Sequence, residues 1–293
     1  MVMNTLLIPH YIALMRLNKP VGIWLTFYPA AWAVALASPG AIDPMLIGLL
    51  LIGAVLMRSA GCVLNDITDR RLDGHVARTK DRPLAAGTLS LKQAYGCLFV
   101  LLALAFGLLF VLPHNPIWLA LLVLPMVAAY PFMKRITWWP QMFLGLTFNT
   151  SALFGWYEAA GELPLEAFIL YAACVFWTLG YDTIYALQDM EDDAKIGIKS
   201  TARRMGEHAH ALIAVSYAAM VALWGVLIAR WSVYDMALLA VVVLAVHLIW
   251  QWRMVRLDGE AVAARLFKSN ATLGLVVFCL LMADRYELSH ILR

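Results

Sequence analysis

Two short runs of oxygen-bearing side chains carry most of the chemistry available to this chain of 293 residues. The first is Asn65-Asp66-Ile67-Thr68-Asp69-Arg70-Arg71-Leu72-Asp73; the second is Asp189-Met190-Glu191-Asp192-Asp193. On a helix, residues four apart are neighbours on one face. Asn65, Asp69 and Asp73 are therefore expected to form one column, with Asp66 pointing away from it, and Asp189 with Asp193 a second column. Hard cations such as Mg2+ take oxygen ligands and are commonly held by one or two carboxylates plus the phosphates of a substrate. Two facing carboxylate ladders suit a diphosphate bridged by magnesium. Arg78, Lys80 and Arg82 follow the first run, and Lys195 and Lys199 follow the second; these would grip the remaining phosphate oxygens.

Asp, Lys and Arg also decorate ordinary solvated loops, but two further charges argue against that reading here. Arg58 lies seven residues before Asn65, and Asp182 seven before Asp189. Each shares a helical face with its motif and sits about 10 Å deeper at 1.5 Å per residue. Both fall inside apolar segments, where ionisable groups are costly and usually face a polar cavity.

The elements that must position these groups are membrane helices. Hydrophobic residues make up 63% of the chain and charged residues only 14%, against roughly 45–50% and about 25% in soluble domains. Apolar segments fall near 21–38, 44–64, 93–112, 116–132, 140–157, 164–187, 211–229, 233–250 and 270–284. Each approaches the 20 or so residues needed to cross a hydrocarbon core of about 30 Å. The expected fold is an all-α membrane protein of about nine transmembrane helices, a bundle around a central cavity with two polar cytoplasmic loops. Residues 1–293 read as one integral domain. Trp24, Tyr28 and Trp32 recur at helical spacing, giving the first segment one aromatic face. That pattern and its length suit a retained helix rather than a cleaved signal peptide.

Basic residues set the orientation, because cytoplasmic loops carry the excess of Lys and Arg. Of the 22 basic residues, 18 lie before the first segment or in alternate loops on that same side. Arg230, Arg285 and Arg293 lie on the other side. The N-terminus is thus expected in the cytoplasm, together with both acidic loops. The two loops read as degenerate copies of one unit, an acidic motif after a helix followed by a basic stretch. A transporter would also have repeats and intramembrane charges, but its polar groups should gather near the midplane, whereas these crowd one face. Cys62, Cys97, Cys174 and Cys279 lack metal or disulfide spacing, and His208 and His210 are not at a helical ligand spacing. No feature of the chain indicates a nucleic-acid partner.

The strings RLNKPVGIWLTFYPA (16–30), GCVLNDITDRRLDGHVARTKDRPLAAG (61–87), YPFMKRITWWPQ (130–141) and YDTIYALQDMEDDAKIGIKSTA (181–202) resemble the 4-hydroxybenzoate polyprenyltransferases of ubiquinone biosynthesis, within the UbiA intramembrane prenyltransferase superfamily. The resemblance covers nearly the whole chain and places the enzyme in the bacterial inner membrane. It implies transfer of a polyprenyl chain from polyprenyl diphosphate to the ring carbon ortho to the hydroxyl of 4-hydroxybenzoate. Related acceptors in the superfamily are homogentisate, dihydroxynaphthoate and haem. By position, Asn65, Asp69, Asp73, Asp189 and Asp193 would be the Mg2+ ligands, the four aspartates with Asp182 forming the catalytic set. Arg78, Lys80, Arg82, Lys134, Lys199 and Arg58 would serve the diphosphate. Tyr130, Tyr181, Tyr185, Trp24 and Tyr28 are candidates for shielding an allylic cation. The acceptor enters as a carboxylate, which the planar fork of an arginine grips well, and Arg135 is assigned to it.

Overall fold

The computed structural model describes residues 7–38, 41–74, 79–230, 235–258 and 262–291. Among these the regular structure is helical: α1 (Ile8–Leu14), α2 (Val21–Ala37), α3 (Pro44–Asp73), α4 (Leu91–Leu109), α5 (Ile117–Ile136), α6 (Pro140–Phe148), α7 (Thr150–Ala160), α8 (Leu165–Leu187), α9 (Met190–Lys195), α10 (Thr201–Met205), α11 (Ala209–Arg230), α12 (Asp235–Asp258) and α13 (Ala263–Ile291). Among the described residues seven helices are long and apolar enough to cross a membrane, which makes this a multi-pass membrane protein. The other two predicted segments take different forms. The first is α2, of 17 residues.

The second, expected as one helix over 140–157, is broken into α6 and α7 at Asn149. Its side-chain amide donates to the Gly145 carbonyl at 2.8 Å and to Thr178 Oγ1 at 2.7 Å. Thr147 and Thr150 likewise donate back to the carbonyls of Phe143 and Thr147. Polar side chains that bond the carbonyls of the preceding turn bend a helix, an effect that average hydropathy does not register.

Asp43 caps α3 by accepting from the Met45 amide at 2.8 Å, and Pro44 occupies the first turn. The helix then runs for 30 residues, about 45 Å at 1.5 Å per residue. This is longer than the hydrocarbon core, so its last turns, which hold the first acidic motif, emerge from it.

The centre of the bundle is α2. Every residue from Ala30 to Leu36 is buried. Trp32 packs on Trp177 and Trp224, with ring centroids 5.1 and 5.4 Å away, and its indole N–H donates to the Gly274 carbonyl. With no hydrophobic drive between helices in lipid, close association needs small residues, and Gly155 supplies one. A Cβ there would stand 2.3 Å from the Ala30 carbonyl oxygen. Helices α4 and α5 are peripheral and expose Phe99, Leu104, Phe106, Leu121 and Leu122, as lipid-facing helices do.

Helices α3 and α8 both pack on α2 but not closely on each other; Arg58 of α3 and Asp182 of α8 keep accessible surface and lie within electrostatic reach of one another, and the space they border is called the lumen below. Likewise α4 and α5 both pack on α3 and not closely on each other. An apolar cavity of about 390 Å3 occupies this second gap, walled by residues of α2 to α7.

Candidate active site

The inward face of α3 ends in three buried carboxylates, Asp66, Asp69 and Asp73, exposed by 1, 1 and 7%. This corrects the expected column. At 3.6 residues per turn, positions seven apart return to within about 20° of each other, while positions eight apart diverge by about 80°. Asp66 and Asp73 therefore share a face with Asp69 between them, and Asn65 stands half-buried to one side. Spacing of three followed by four was the signal that could have found Asp66.

Each carboxylate of this face carries cations. Arg16 grips Asp66 with one Nη, at 2.8 and 3.0 Å from its two oxygens. Arg82 reaches both oxygens of Asp73 at 3.0 and 2.9 Å and one of Asp66 at 3.2 Å. Burial alone would lower the Arg82 guanidinium, but the carboxylates of Asp66 and Asp73 outweigh it and raise it above its ordinary value. Lys134 donates to Asp69 Oδ2, and Arg135 donates to Asp69 Oδ1 and the Thr68 carbonyl, both at 3.0 Å. The end of α5 is thereby fastened to the first motif. Arg16 adopts a left-handed backbone, φ 58°, unusual for a residue with a side chain. Its partnership with Asp66 across 50 positions of sequence was not foreseen.

The second motif follows α8. Asp189 is the N-cap residue of α9, and the Asp193 amide donates to the Asp189 carbonyl at 2.8 Å. Gly197 then turns the chain at φ 72°, a conformation glycine adopts without penalty. Lys199 closes the loop onto α5: its amide donates to the Lys134 carbonyl at 2.9 Å and its ammonium to the Ile136 carbonyl at 3.0 Å. The chain between the motifs is thus tied to both. Lys80 is exposed, and Arg78 lies outside the described residues. Arg203 donates to the Asp193 carbonyl at 3.2 Å.

Deeper in the bundle lie Arg58 and Asp182, both only half-buried although they belong to interior helices. The Arg58 guanidinium stacks over Phe148 at 5.5 Å and occupies space left by Gly22, where a Cβ would come within 2.3 Å of its Nε. Arg58 and Asp182 lie within electrostatic reach of each other and of Tyr130 and Tyr181. Among the described residues neither closes an ion pair. Tyr130 stands edge-on to Phe148 at 5.4 Å, and Phe148 also lines the apolar cavity, so the charged lumen and the cavity meet at its ring. Tyr181 accepts from Thr178 and packs on Trp177 and Phe267, Tyr185 packs on Phe267, and Trp24, Tyr28 and Trp32 stack along α2. Of the aromatic candidates, Tyr130 and Tyr181 lie within electrostatic reach of Arg58 and Asp182.

Among the described residues, no three His, Cys, Asp or Glu side chains gather into a metal cage. The donor set is one of carboxylates spaced along two helix ends, with arginines and lysines beside them. Such a set offers one or two oxygens to an ion and leaves the rest of its shell to water and phosphate, which fits Mg2+ with a diphosphate.

The sequence pattern of the UbiA prenyltransferase family matches residues 26–278. A 4-hydroxybenzoate octaprenyltransferase of Pseudomonas aeruginosa (strain LESB58) is 39% identical over 278 residues, covering 94% of this chain and 93% of that protein. A mitochondrial 4-hydroxybenzoate polyprenyltransferase of Caenorhabditis elegans is 42% identical over 280 residues, covering 94% and 78%. Among solved structures, the apo UbiA homologue of Aeropyrum pernix K1 superposes with a TM-score of 0.79 at 26% identity, covering 89% of this chain and 97% of that one. The Archaeoglobus fulgidus homologue bound to GPP and Mg2+ gives 0.76 at 20% identity, covering 96% and 99%. Two acidic motifs at the ends of α3 and α8, a lumen beneath them and this likeness over nearly the whole length agree: the chain belongs to the UbiA prenyltransferase family.

Proposed function

We propose that the protein transfers a polyprenyl chain from polyprenyl diphosphate to the ring carbon ortho to the hydroxyl of 4-hydroxybenzoate, using Mg2+, as a step of ubiquinone biosynthesis. The observation that carries the reading is the continuity of the site. Two acidic motifs flanked by cations stand above a lumen holding one arginine and one aspartate, and that lumen joins an apolar cavity at Phe148. A diphosphate, an aromatic acid and a long hydrocarbon tail each find matching chemistry along one path. The names of the relatives supply the acceptor.

In this reading Asp69 and Asp73 of α3, with Asn65 at their side, and Asp189 and Asp193 after α8 hold the metal. Bound Mg2+ supplies charge neutralisation to the departing diphosphate. Arg82, Lys134, Lys199 and Arg78 bind phosphate oxygens, with Lys80 at the rim. Asp66 keeps Arg82 in place when Asp73 turns to the metal. The walls exclude water from the allylic carbon, and the rings of Tyr130 and Tyr181 face the charge that develops there.

The acceptor's carboxylate suits Arg58 better than Arg135, which reverses the expectation from sequence. Arg135 is engaged with Asp69 and the Thr68 carbonyl, whereas Arg58 lies in the lumen without an ion pair. The prenyl tail runs into the apolar cavity and out between α4 and α5, where Phe106, Leu121 and Leu124 line the cavity and are also exposed. The basic residues favour a cytoplasmic active site and N-terminus in an inner membrane.

The test is a reaction of purified protein with labelled 4-hydroxybenzoate, a polyprenyl diphosphate and Mg2+, analysed by mass spectrometry. A ring-prenylated product is expected. Its absence, with product formed from homogentisate or dihydroxynaphthoate instead, would replace the acceptor.

A further inference from the structure

At the end of the bundle away from the acidic motifs, one buried acidic side chain has no part in the chemistry above. Glu158, in the last turn of α7, is 2% exposed. Its Oε2 accepts from the backbone amide of His114 at 2.9 Å, and its backbone carbonyl meets His114 Nδ1 at 3.1 Å. Its Oε1 is buried without a hydrogen-bond partner among the described residues, so the bonding of this side chain is directed at His114. That residue belongs to the connector 110–116 between α4 and α5, which Asn115 turns at φ 49°. The His114 ring stands edge-on to Tyr157 at 5.8 Å, beside Gly161, and Trp118 of α5 packs on Tyr157 at 5.5 Å. As whole helices, α7 packs closely on neither α4 nor α5; this cluster is what joins them.

Burying a carboxylate is costly unless it is paired and hydrogen-bonded, and the position of this one relative to the apolar cavity gives it a use. On α5 the cavity is lined from Val127 to Ile117, ten positions apart and so about 15 Å at 1.5 Å per residue. Ile117 is at the opposite end of α5 from Lys134, so it marks the far end of the cavity. Leu112 and Ile117 flank the connector there, and Phe154, one turn before Glu158, lines the cavity from α7. The connector is thus the cavity floor, and Glu158 fastens it. A geranyl chain ends within this depth, whereas an octaprenyl chain is far longer and has to turn at the floor.

We infer that Glu158 is a specificity-determining residue for the length of the prenyl chain: by holding His114 it fixes the cavity floor, and the fixed floor turns a long tail into the gap between α4 and α5. The inference rests on the donor and the path proposed above. With the tie broken, the connector samples positions in which that path is not formed. The apparent affinity for a long donor then falls with the fraction of molecules that keep the floor closed. A short donor, whose chain ends above the floor, is indifferent to it.

The test compares geranyl diphosphate with octaprenyl diphosphate, each with 4-hydroxybenzoate and Mg2+, in wild type, Glu158→Ala and Glu158→Gln. Losing a hydrogen bond to a charged group shifts such an equilibrium by roughly 10- to 150-fold. Glu158→Ala should therefore raise the KM for octaprenyl diphosphate by about tenfold or more and leave kcat and KM for geranyl diphosphate near wild type. Glu158→Gln keeps an oxygen for the His114 amide and should retain most of the octaprenyl activity. Equal losses on both donors would reduce Glu158 to a support of the fold, and no loss on either would mean that the floor does not steer the tail; both results overturn the inference. Should Glu158→Ala fail to insert, Leu112→Ala, which opens the same floor, replaces it and must show a loss confined to the octaprenyl donor. Wild type that transfers neither prenyl group would overturn the proposed function itself, an outcome distinct from an active wild type matched by Glu158→Ala.

Discussion

At the scale of single residues, the site is a competition among carboxylates for cations. Asp69 is satisfied by Lys134 and Arg135, and Asp73 by Arg82. In the proposed reaction Asp69 and Asp73 would be the residues that hold the metal, and the cations they release, Lys134 and Arg82, would be free to bind phosphate. Asp69→Ala removes both a ligand and the charge that offsets the ion, so transfer should be abolished while the protein still inserts. EDTA should inactivate the wild type until Mg2+ is restored, and substantial turnover in EDTA would exclude the metal. Asp66 differs from these, because its work is to hold Arg82 with the help of Arg16. Asp66→Asn should slow transfer less than Asp69→Ala does and should raise the KM for prenyl diphosphate. Arg58 and Arg135 are separated by a third comparison. A charge-assisted hydrogen bond contributes about 1.5–3 kcal/mol, so Arg58→Ala should raise the KM for 4-hydroxybenzoate by roughly 10- to 150-fold. Arg135→Ala should instead move the KM for prenyl diphosphate. The reverse pattern would return the acceptor to Arg135.

At the scale of elements, two glycines test packing against positioning. At Gly155 a Cβ would strike the Ala30 carbonyl oxygen at 2.3 Å, and backbone on both sides cannot yield without parting α2 from α7. Overpacking of this kind costs about 1–3 kcal/mol, so Gly155→Ala should lower the thermal midpoint of the detergent-solubilised protein and leave both KM values near wild type. At Gly22 the obstacle is the Arg58 side chain, which can swing aside. Gly22→Ala should therefore raise the KM for the acceptor with little change in the thermal midpoint. Equal effects of the two variants on both readouts would dissolve the distinction. Much of this level was legible in the sequence. The aromatic face of α2 follows from Trp24, Tyr28 and Trp32 at spacings of four, and the acidic runs mark the ends of α3 and α8. The break at Asn149 was not legible, because it depends on a bond to Thr178 on another helix. The seat of Arg58 was equally hidden, since it needs Gly22 of α2 and Phe148 of α6 to meet a residue of α3.

At the scale of the whole molecule, polar chemistry gathers at one end of the bundle and hydrocarbon space opens through its side. The apolar cavity could not be read from sequence, since its walls come from six helices and no motif marks them. Its shape nevertheless makes a prediction about chain length. If the tail runs past Phe148 and leaves between α4 and α5, the first isoprene units lie deep against Thr147 and Phe154, while later units pass Ala105 of α4 and Ala120 of α5, which line the same cavity. A tryptophan at either alanine would fill the outer part of the passage without reaching the acidic motifs. Ala105→Trp and Ala120→Trp should each keep transfer of a short geranyl group near the wild-type rate and lose transfer of an octaprenyl group. A loss of both would mean that the bulk disturbs the lumen itself. An unchanged octaprenyl rate would move the exit away from the gap between α4 and α5, and the same pair of substrates would then be applied to tryptophans at the other walls.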